Sequence, residues 1–547
     1  MKITLSTVLY IVICFFTGTL KAQDLNDFTM SSGGKLKPLQ DIMDIRHYTI
    51  ALNVDIYKKA INGYTEITLI LSSSTDTILF DLNHLLKVNK IIVDNKEQAF
   101  TVNDDQIFIT NKNAFSAAKH TVRVYYDGNP PIPIKPPWAS GFTWTKDNQG
   151  NPFVNITCQG DGGKTYFPCK DHPSDEPNEG VDLFITIPKG LSVAGPGLLQ
   201  SVKAQKNNKE TWHWKTNYTI SNYCIVFNIG KYKVYNQDYT TCEGNIVPIQ
   251  LYILEQDTAL AKKLMDIKER DTRILEKYFG EYPWVKEKIG IAEVPNSGME
   301  HQTMITFSDS LIFKSFPGNL DYHDIYFHEF AHEWWANKIT NKDWSHMWIQ
   351  EGITTYAEAL AMRELGGEAA YDEQMLRFRA ITSAIGNKTP IVSHDGSTVK
   401  EVYNSDIYMK GAMLMHTLRH VVGDSLFFPT LKKFSTNVKY PYNQFFTTED
   451  VEQFFIRETG KDLSPIFDFY LRTTKEIEIN VFQFSPDTYI MNVNNAPIDS
   501  LPLDIVTDSG IIHTTMQATM EKPFMIKSKT PPIIDPRGWY FRKVIFH

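Results

Sequence analysis

The chain has 547 residues, of which 42% are hydrophobic, 22% charged and 13% aromatic. This composition is that of a globular protein with buried cores, and the length is sufficient for two to four domains. The formal net charge is −8 and the sequence has no block of basic residues, which argues against a nucleic-acid partner.

The first 22 residues have the pattern of a cleavable secretory signal. Lys2 precedes an apolar run from Leu5 to Phe16, and small and polar residues follow as far as Ala22. The run is too short for a stable membrane span, and no later apolar stretch reaches membrane length. We therefore expect an exported chain, periplasmic or secreted to the cell surface or beyond, whose mature form begins near Gln23 without a transmembrane segment.

Residues 23–238 are predicted to form a β-rich domain, because apolar and polar residues alternate from Tyr48 to Ile56 and in similar runs as far as residue 229. A Pro-rich connector at 129–137 interrupts these runs, and a surface loop is slightly favoured over a binding loop. Three disulfide connectivities, as well as buried free thiols, fit the four cysteines of the mature chain: Cys158, Cys169, Cys224 and Cys242.

The pattern becomes helical after Asp257, and residues 239–474 are predicted to form an α-rich domain. Alternation returns at Ile477, so residues 475–547 are expected to form a small β-sandwich. The fold class is therefore a multidomain α+β chain. Apolar periodicity and end signals predict a strand at Lys288 to Val294 and helices at Ala259 to Phe279, Asp321 to Ile339, Trp348 to Leu365 (ended by Gly366 and Gly367), Asp424 to Val438, Thr448 to Glu458 and Ser464 to Leu471.

Residues 328–332 read H-E-x-x-H within a predicted helix. Helical residues four apart lie one turn above each other, so His328 and His332 would aim both imidazoles at one Zn²⁺. Glu351, which opens the next predicted stretch of helix, can supply the third ligand. A fourth metal position is then open to water, whose pKa the metal lowers, and Glu329 can accept its proton as a general base. The pattern predicts a zinc metallopeptidase.

Further motifs flank the two histidines. Residues 297–301 read S-G-M-E-H, residues 344–352 read W-S-H-M-W-I-Q-E-G, and residues 408–411 read Y-M-K-G. With these motifs in this order, the chain resembles the gluzincin zinc aminopeptidases, the family of aminopeptidase N and of the bifunctional leukotriene epoxide hydrolase. The resemblance covers roughly residues 40–475. The long C-terminal helical domain of larger members has no counterpart in the remaining sequence, so a short form is expected.

The resemblance implies an N-terminal β domain of saddle or sandwich form, a thermolysin-like catalytic domain with one Zn²⁺, and peptide substrates. It implies that Tyr408 hydrogen-bonds the oxyanion and that Glu300 pairs with the free α-ammonium group, which makes the enzyme an aminopeptidase. Gly298 and Met299 of the same motif would contact the substrate. Gln159 of the β domain would face the active site, although an ordinary loop amide is an equal alternative.

Glu358 lies on the same helix face as Glu351, seven residues later, and is a candidate partner for a zinc-binding histidine. A solvated surface carboxylate is the alternative. Two residues depart from the family's G-x-M-E-N motif, because Ser297 replaces the first Gly and His301 replaces the Asn. These departures leave open an endopeptidase with the same zinc site, a weak or inactive peptide- or surface-binding protein on a peptidase fold, and, remotely, an epoxide hydrolase. The intact Glu329 and metal ligands favour an active enzyme.

Overall fold

The computed structural model of the chain describes residues 29–308, 321–392, 394–440, 442, 444–517 and 524–547. The predicted secretory signal at residues 1–22 lies outside these ranges. Within them, no helix combines the length and the apolar character that a membrane crossing requires. The chain is organised as a β-rich N-terminal part, a helical middle part and a small β-structured C-terminal part, which confirms the predicted fold class.

The N-terminal part is built on an eight-stranded sheet. Its strand Met43–Asp55 pairs antiparallel with Ala60–Leu71 and parallel with Val181–Pro188. Buried and less buried residues alternate along Met43–Asp55, because successive side chains of a strand point to opposite faces. The strands of this part are Met43–Asp55, Ala60–Leu71, Thr75–Asp81, Leu86–Val93, Lys96–Glu97, Ala99–Asn103, Gln106–Phe115, Lys119–Gly128, Gly141–Lys146, Pro152–Thr157, Val181–Pro188, Ser192–Ala194, Leu198–Gln205, Lys209–Thr216 and Asn228–Gly230, with a short helix at Pro38–Asp41.

The middle part begins with a five-stranded mixed sheet whose edge strand is Tyr232–Thr240. The predicted domain boundary between residues 238 and 239 falls inside this strand. The remaining strands of the sheet are Ile246–Leu254, Ile289–Glu293, Gly298–Met299 and Ile305–Phe307, and a separate pair is formed by Thr340–Asn341 and Phe445–Phe446. The helices are Ala261–Phe279, Asp324–Ala331, Trp348–Ile385, Val399–Val402, Ser405–Val422, Asp424–Asn437, Thr448–Thr459 and Ser464–Phe467, the last followed by a π-helical turn at Asp468–Arg472.

Two helices differ in extent from their predicted ranges. The motif helix, Asp324–Ala331, ends well before Ile339, and irregular turns follow it, with a φ of 152° at Ala336. The long helix, Trp348–Ile385, does not stop at the glycine pair. Gly367, at φ 76°, introduces a kink, and the helix then continues because its next turns bury apolar side chains such as Tyr371. A glycine therefore marks a bend here where the sequence predicted an end.

The C-terminal part consists of two small sheets that pack on the helical part. Arg537 forms ion pairs with Glu368 and Asp372 of the long helix, at 2.7 Å for the second pair. The ring of Trp539 stacks on His416 of the helix Ser405–Val422, with the ring centroids 4.3 Å apart. The strands are Ile477–Ser485, Thr488–Asn494, Phe524–Lys527 and Arg542–Phe546 in one sheet and Ser500–Thr507, Gly510–Gln517 and Ile533–Ile534 in the other.

The four cysteines of the predicted mature chain are all free thiols. Three of them are completely buried, and the fourth, Cys242, is exposed. Of the alternatives that the sequence left open, the structure therefore contains buried free thiols and no disulfide among these four residues.

Candidate functional site

Three side chains with metal-binding atoms meet where the motif helix faces the first turn of the long helix. The Nε2 atoms of His328 and His332 are 3.1 Å apart. Oε2 of Glu351 lies 3.4 Å from the first and 3.3 Å from the second. A tetrahedral Zn²⁺ with bonds of about 2.0–2.1 Å holds its ligand atoms roughly 3.3 Å apart. The spacing and the nitrogen and oxygen donor set therefore fit one zinc ion.

The two imidazoles are oriented by hydrogen bonds from their other nitrogen. Nδ1–H of His328 donates to Oε1 of Glu358 at 2.8 Å, and Nδ1–H of His332 donates to the carbonyl oxygen of Trp335 at 2.8 Å. Each bond leaves the lone pair of Nε2 free for a metal and fixes the ring. Glu358 thus occupies the position predicted for it, as a buried partner of a candidate ligand and not as a solvated carboxylate.

The charge of the site also suits a cation. Although burial opposes ionisation, the nearby His332 and His328 lower the pKa of Glu351 to about 2, so this carboxylate is ionised. Within the described part of the chain, no other three His, Cys, Asp or Glu side chains bring ligand atoms together in this way. One anionic and two neutral ligands are a common set for a catalytic zinc site, which keeps a further position open.

Glu329 follows His328 on the motif helix and stays partly accessible to solvent. Burial of the carboxylate raises the pKa of Glu329 to about 8. The neighbouring His328 lowers this pKa, and the like charge of Glu300 raises it further. Gly298, at φ 147°, lies close by, and a Cβ atom there would come within 2.8 Å of the Thr306 carbonyl oxygen and 3.3 Å of Glu329 Cγ. A glycine therefore lets the strand Gly298–Met299 approach the motif helix closely.

Glu300 is buried beside these groups and accepts hydrogen bonds from two residues of the N-terminal part. Nε2 of Gln159 donates to its Oε1 at 2.6 Å, and the hydroxyl of Tyr223 donates to the same oxygen at 2.9 Å. Gln159 is thus brought to the predicted site, and it is not an isolated loop amide. Tyr223 was not predicted, because no local pattern distinguishes it from other tyrosines of the β-rich region.

Tyr408 lies on the helix Ser405–Val422 with its ring centroid 6.0 Å from that of His328. Its hydroxyl donates to the hydroxyl of Tyr403 at 2.7 Å. Burial raises the pKa of Tyr408 well above its ordinary value, so this phenol is neutral and can donate a hydrogen bond. Tyr403 is therefore the direct hydrogen-bond partner of the candidate catalytic tyrosine.

His301, one of the departures from the motif, adds no charge beside Glu300. The ring is completely buried, and neither of its nitrogens has a hydrogen-bond partner in the described ranges. Burial lowers the pKa of His301 to about 3, which keeps the imidazole neutral. Met299, the other predicted contact of this motif, is buried in the same short strand.

Comparisons with known proteins agree with this geometry. The family descriptions "Peptidase M1 N-terminal domain" and "Peptidase family M1 domain" match residues 45–224 and 264–470, which together make up most of the chain. The chain is 25% identical over 440 residues to leucine aminopeptidase 2 of Vanderwaltozyma polyspora, and 22% identical over 411 residues to leukotriene A-4 hydrolase of Xenopus laevis. These alignments cover 73% and 70% of this chain but only 60% and 63% of the relatives.

Solved structures show the same fold. A mutant of an M1 zinc metallopeptidase from Deinococcus radiodurans, bound to a Tyr-Ser-Ala substrate, superposes with a TM-score of 0.65 at 20% sequence identity. The superposition covers 80% of this chain and 95% of that chain. Another structure of the metallopeptidase gives a TM-score of 0.63 and covers 78% of this chain and 93% of that one.

Proposed function

Because the chain belongs to peptidase family M1, we propose that it is a zinc aminopeptidase that removes residues from the free amino end of peptides. One observation carries the proposal. Glu300 is buried near the candidate ligands His332 and Glu351: burial raises the pKa of Glu300, the charge of His332 lowers it and that of Glu351 raises it further. A carboxylate fixed beside the metal site suits a substrate that ends in an ammonium group there.

Each residue of the site has a separate role in the proposed reaction. Bound zinc would polarise the scissile carbonyl group and acidify a water molecule. Glu329 takes up the proton of the attacking water and delivers a proton to the leaving amine. Tyr408 turns its single hydroxyl proton from Tyr403 to the oxyanion that develops on the substrate, and the Tyr403 hydroxyl can then donate to the Tyr408 oxygen. Glu300, held by Gln159, pairs with the α-ammonium group and so fixes which peptide bond is cleaved.

Replacing Glu300 tests the exopeptidase part of the proposal. In Glu300→Ala, kcat/KM for an unblocked peptide is expected to fall about 10- to 100-fold, because a charge-assisted contact of roughly 1.5–3 kcal/mol is lost. The ratio of kcat/KM values for an unblocked peptide and its amino-acetylated counterpart measures this loss. A variant that keeps the wild-type ratio would remove Glu300 from the role. Equal cleavage of both peptides by the wild-type protein would favour an endopeptidase.

Replacing Tyr408 tests the oxyanion contact. Tyr408→Phe removes one hydroxyl and is expected to lower kcat about 10²- to 10³-fold with little change in KM, because the contact forms only as charge develops. The matched variant Tyr403→Phe should lower kcat much less, since its hydroxyl only supports that of Tyr408. Steady-state kinetics on an unblocked peptide compares the two. Similar losses in both variants would contradict this assignment.

We further propose that the chain is exported, to the periplasm or outside the cell. The support is the apolar N-terminal run and the small residues that follow it. Amino-terminal sequencing of the protein from its native cells is expected to give a start near Gln23, and a start at Met1 would reject export by this route.

A further inference from the structure

The segment at residues 29–34, here called the strap, lies across the junction between the β-rich part and the helical part. On the β-rich side, the backbone N–H of Ser32 donates to the carbonyl oxygen of Gly160 at 3.0 Å. Oδ1 of Asp161 accepts from the backbone N–H and from the hydroxyl of Ser31, both at 3.0 Å. The strap is therefore tied to the loop that directly follows Gln159.

On the helical side, the strap pairs with the residues that lead into the short helix Val399–Val402. The backbone N–H of Val399 donates to the carbonyl oxygen of Ser32 at 3.1 Å, and that of Lys400 donates to the carbonyl oxygen of Met30 at 3.0 Å. Met30 is buried at this seam. Main-chain groups of three consecutive strap residues, Met30 to Ser32, thus form hydrogen bonds that join the strap to the β-rich part and to the helical part.

Both hydrogen-bond donors to Glu300 connect to the strap. Gln159 directly precedes Gly160, whose carbonyl oxygen accepts the hydrogen bond from Ser32 of the strap. The indole Nε1–H of Trp344 donates to the hydroxyl of Ser32 at 3.2 Å. The ring centroids of Trp344 and Tyr223 are 6.0 Å apart. Tyr223 in turn donates to Glu300. Two separate routes therefore run from the strap to one carboxylate.

We propose that the strap is a positioning element for substrate recognition, which holds Gln159 and Tyr223 against Glu300 and thereby sets the affinity for the amino end of the peptide. The proposal rests on the proposed function, in which Glu300 binds the α-ammonium group. Side chains that locate a binding group to within about 0.5 Å need such support from neighbouring residues, since looser positioning weakens the contact. The strap does not touch the candidate metal ligands by any hydrogen bond among the described residues, so metal binding should be independent of it.

Gly33 offers a substitution that displaces the strap. It has φ 81°, and an added Cβ atom would lie 2.2 Å from Cδ1 of Trp344. Gly150 has φ 84° but open space around the position of its Cβ atom. Gly33→Ala and Gly150→Ala therefore carry the same backbone strain, and only the first forces the strap and Trp344 apart.

The test compares both variants with the wild-type protein, each with its zinc content and melting temperature measured. Gly33→Ala is expected to raise KM for an unblocked tripeptide about five- to tenfold, with a much smaller change in kcat, because a buried contact of roughly 1 kcal/mol is weakened. KM for the amino-acetylated peptide and the zinc content should not change. Gly150→Ala should match the wild-type protein in both KM values and in zinc content, while its melting temperature reports the backbone strain that the two variants share. A Gly33→Ala protein with wild-type KM for the unblocked peptide would overturn the proposal.

Binding can be measured with little turnover in a Glu329→Gln background. Calorimetric titration with the same two peptides should show weaker binding of the unblocked peptide when Gly33→Ala is added, and unchanged binding of the acetylated one. Failure of the proposed function is a distinct result, because the wild-type site would then bind both peptides equally.

A second variant keeps the test decisive if Gly33→Ala does not fold. Ser32→Ala adds no atoms and removes the hydroxyl that accepts from Trp344 and donates to Asp171 at 3.0 Å. It is expected to raise KM for the unblocked peptide about three- to fivefold. An unchanged KM in a folded Ser32→Ala protein would also overturn the proposal.

Discussion

Glu329→Gln is expected to lower kcat for an unblocked peptide by about 10³-fold while the protein still binds zinc. The amide has nearly the same shape as the carboxylate but cannot accept the proton of the attacking water, and a positioned acid–base group typically contributes about 10²- to 10⁴-fold. The motif helix should not be disturbed, since the Glu329 side chain stays partly accessible to solvent. Steady-state kinetics combined with metal analysis measures both quantities.

The control for this variant is a glutamate far from the site. Glu97 lies on a short strand of the β-rich part and is largely exposed, 3.7 Å from the ammonium group of Lys90. Glu97→Gln should leave both kcat and zinc content unchanged, since an exposed ion pair contributes little. Glu329→Gln with more than about a tenth of the wild-type kcat would show that another group accepts the proton. Loss of zinc from the variant would instead assign Glu329 a part in metal binding.

Removing the metal is expected to abolish turnover and to lower the melting temperature. A bound ion at a thousand times its dissociation constant stabilises the native state by about 4 kcal/mol, because it does not bind the unfolded chain in the same way. Dialysis against a chelator removes this contribution, and added Zn²⁺ should restore activity and melting temperature together. Turnover by protein that metal analysis shows to be free of zinc and other divalent ions would contradict the zinc site.

Two substitutions are expected to weaken zinc binding to different extents. His332→Ala removes a ligand and should prevent stoichiometric zinc binding. Glu358→Gln keeps all three ligands but weakens the hydrogen bond that orients His328, so zinc affinity should fall about 10- to 100-fold. Titration of each metal-free variant with Zn²⁺ distinguishes the two effects. If Glu358→Gln binds zinc as tightly as the wild-type protein, the orienting role of Glu358 is wrong.

Local sequence patterns predicted the helical and β regions and the central group of site residues. The period of an α-helix places His328 and His332 on one face whatever the rest of the chain does. Alternation along segments such as Tyr48 to Ile56 likewise reflects a strand with one buried face. The exact helix ends were predicted less well, because the stop signal at Gly367 is outweighed by apolar side chains that the following turns bury against the core.

The sequence by itself therefore determined which chemical groups this protein has and which of them share a helix turn. Only the tertiary structure decided which distant segments meet around those groups. Tyr223 and Gln159 reach Glu300 across 77 and 141 residues of sequence, and the strap reaches Trp344 across 312. Such contacts result from the packing of whole domains, which depends on many weak interactions at once, so no local spacing in the chain encodes them.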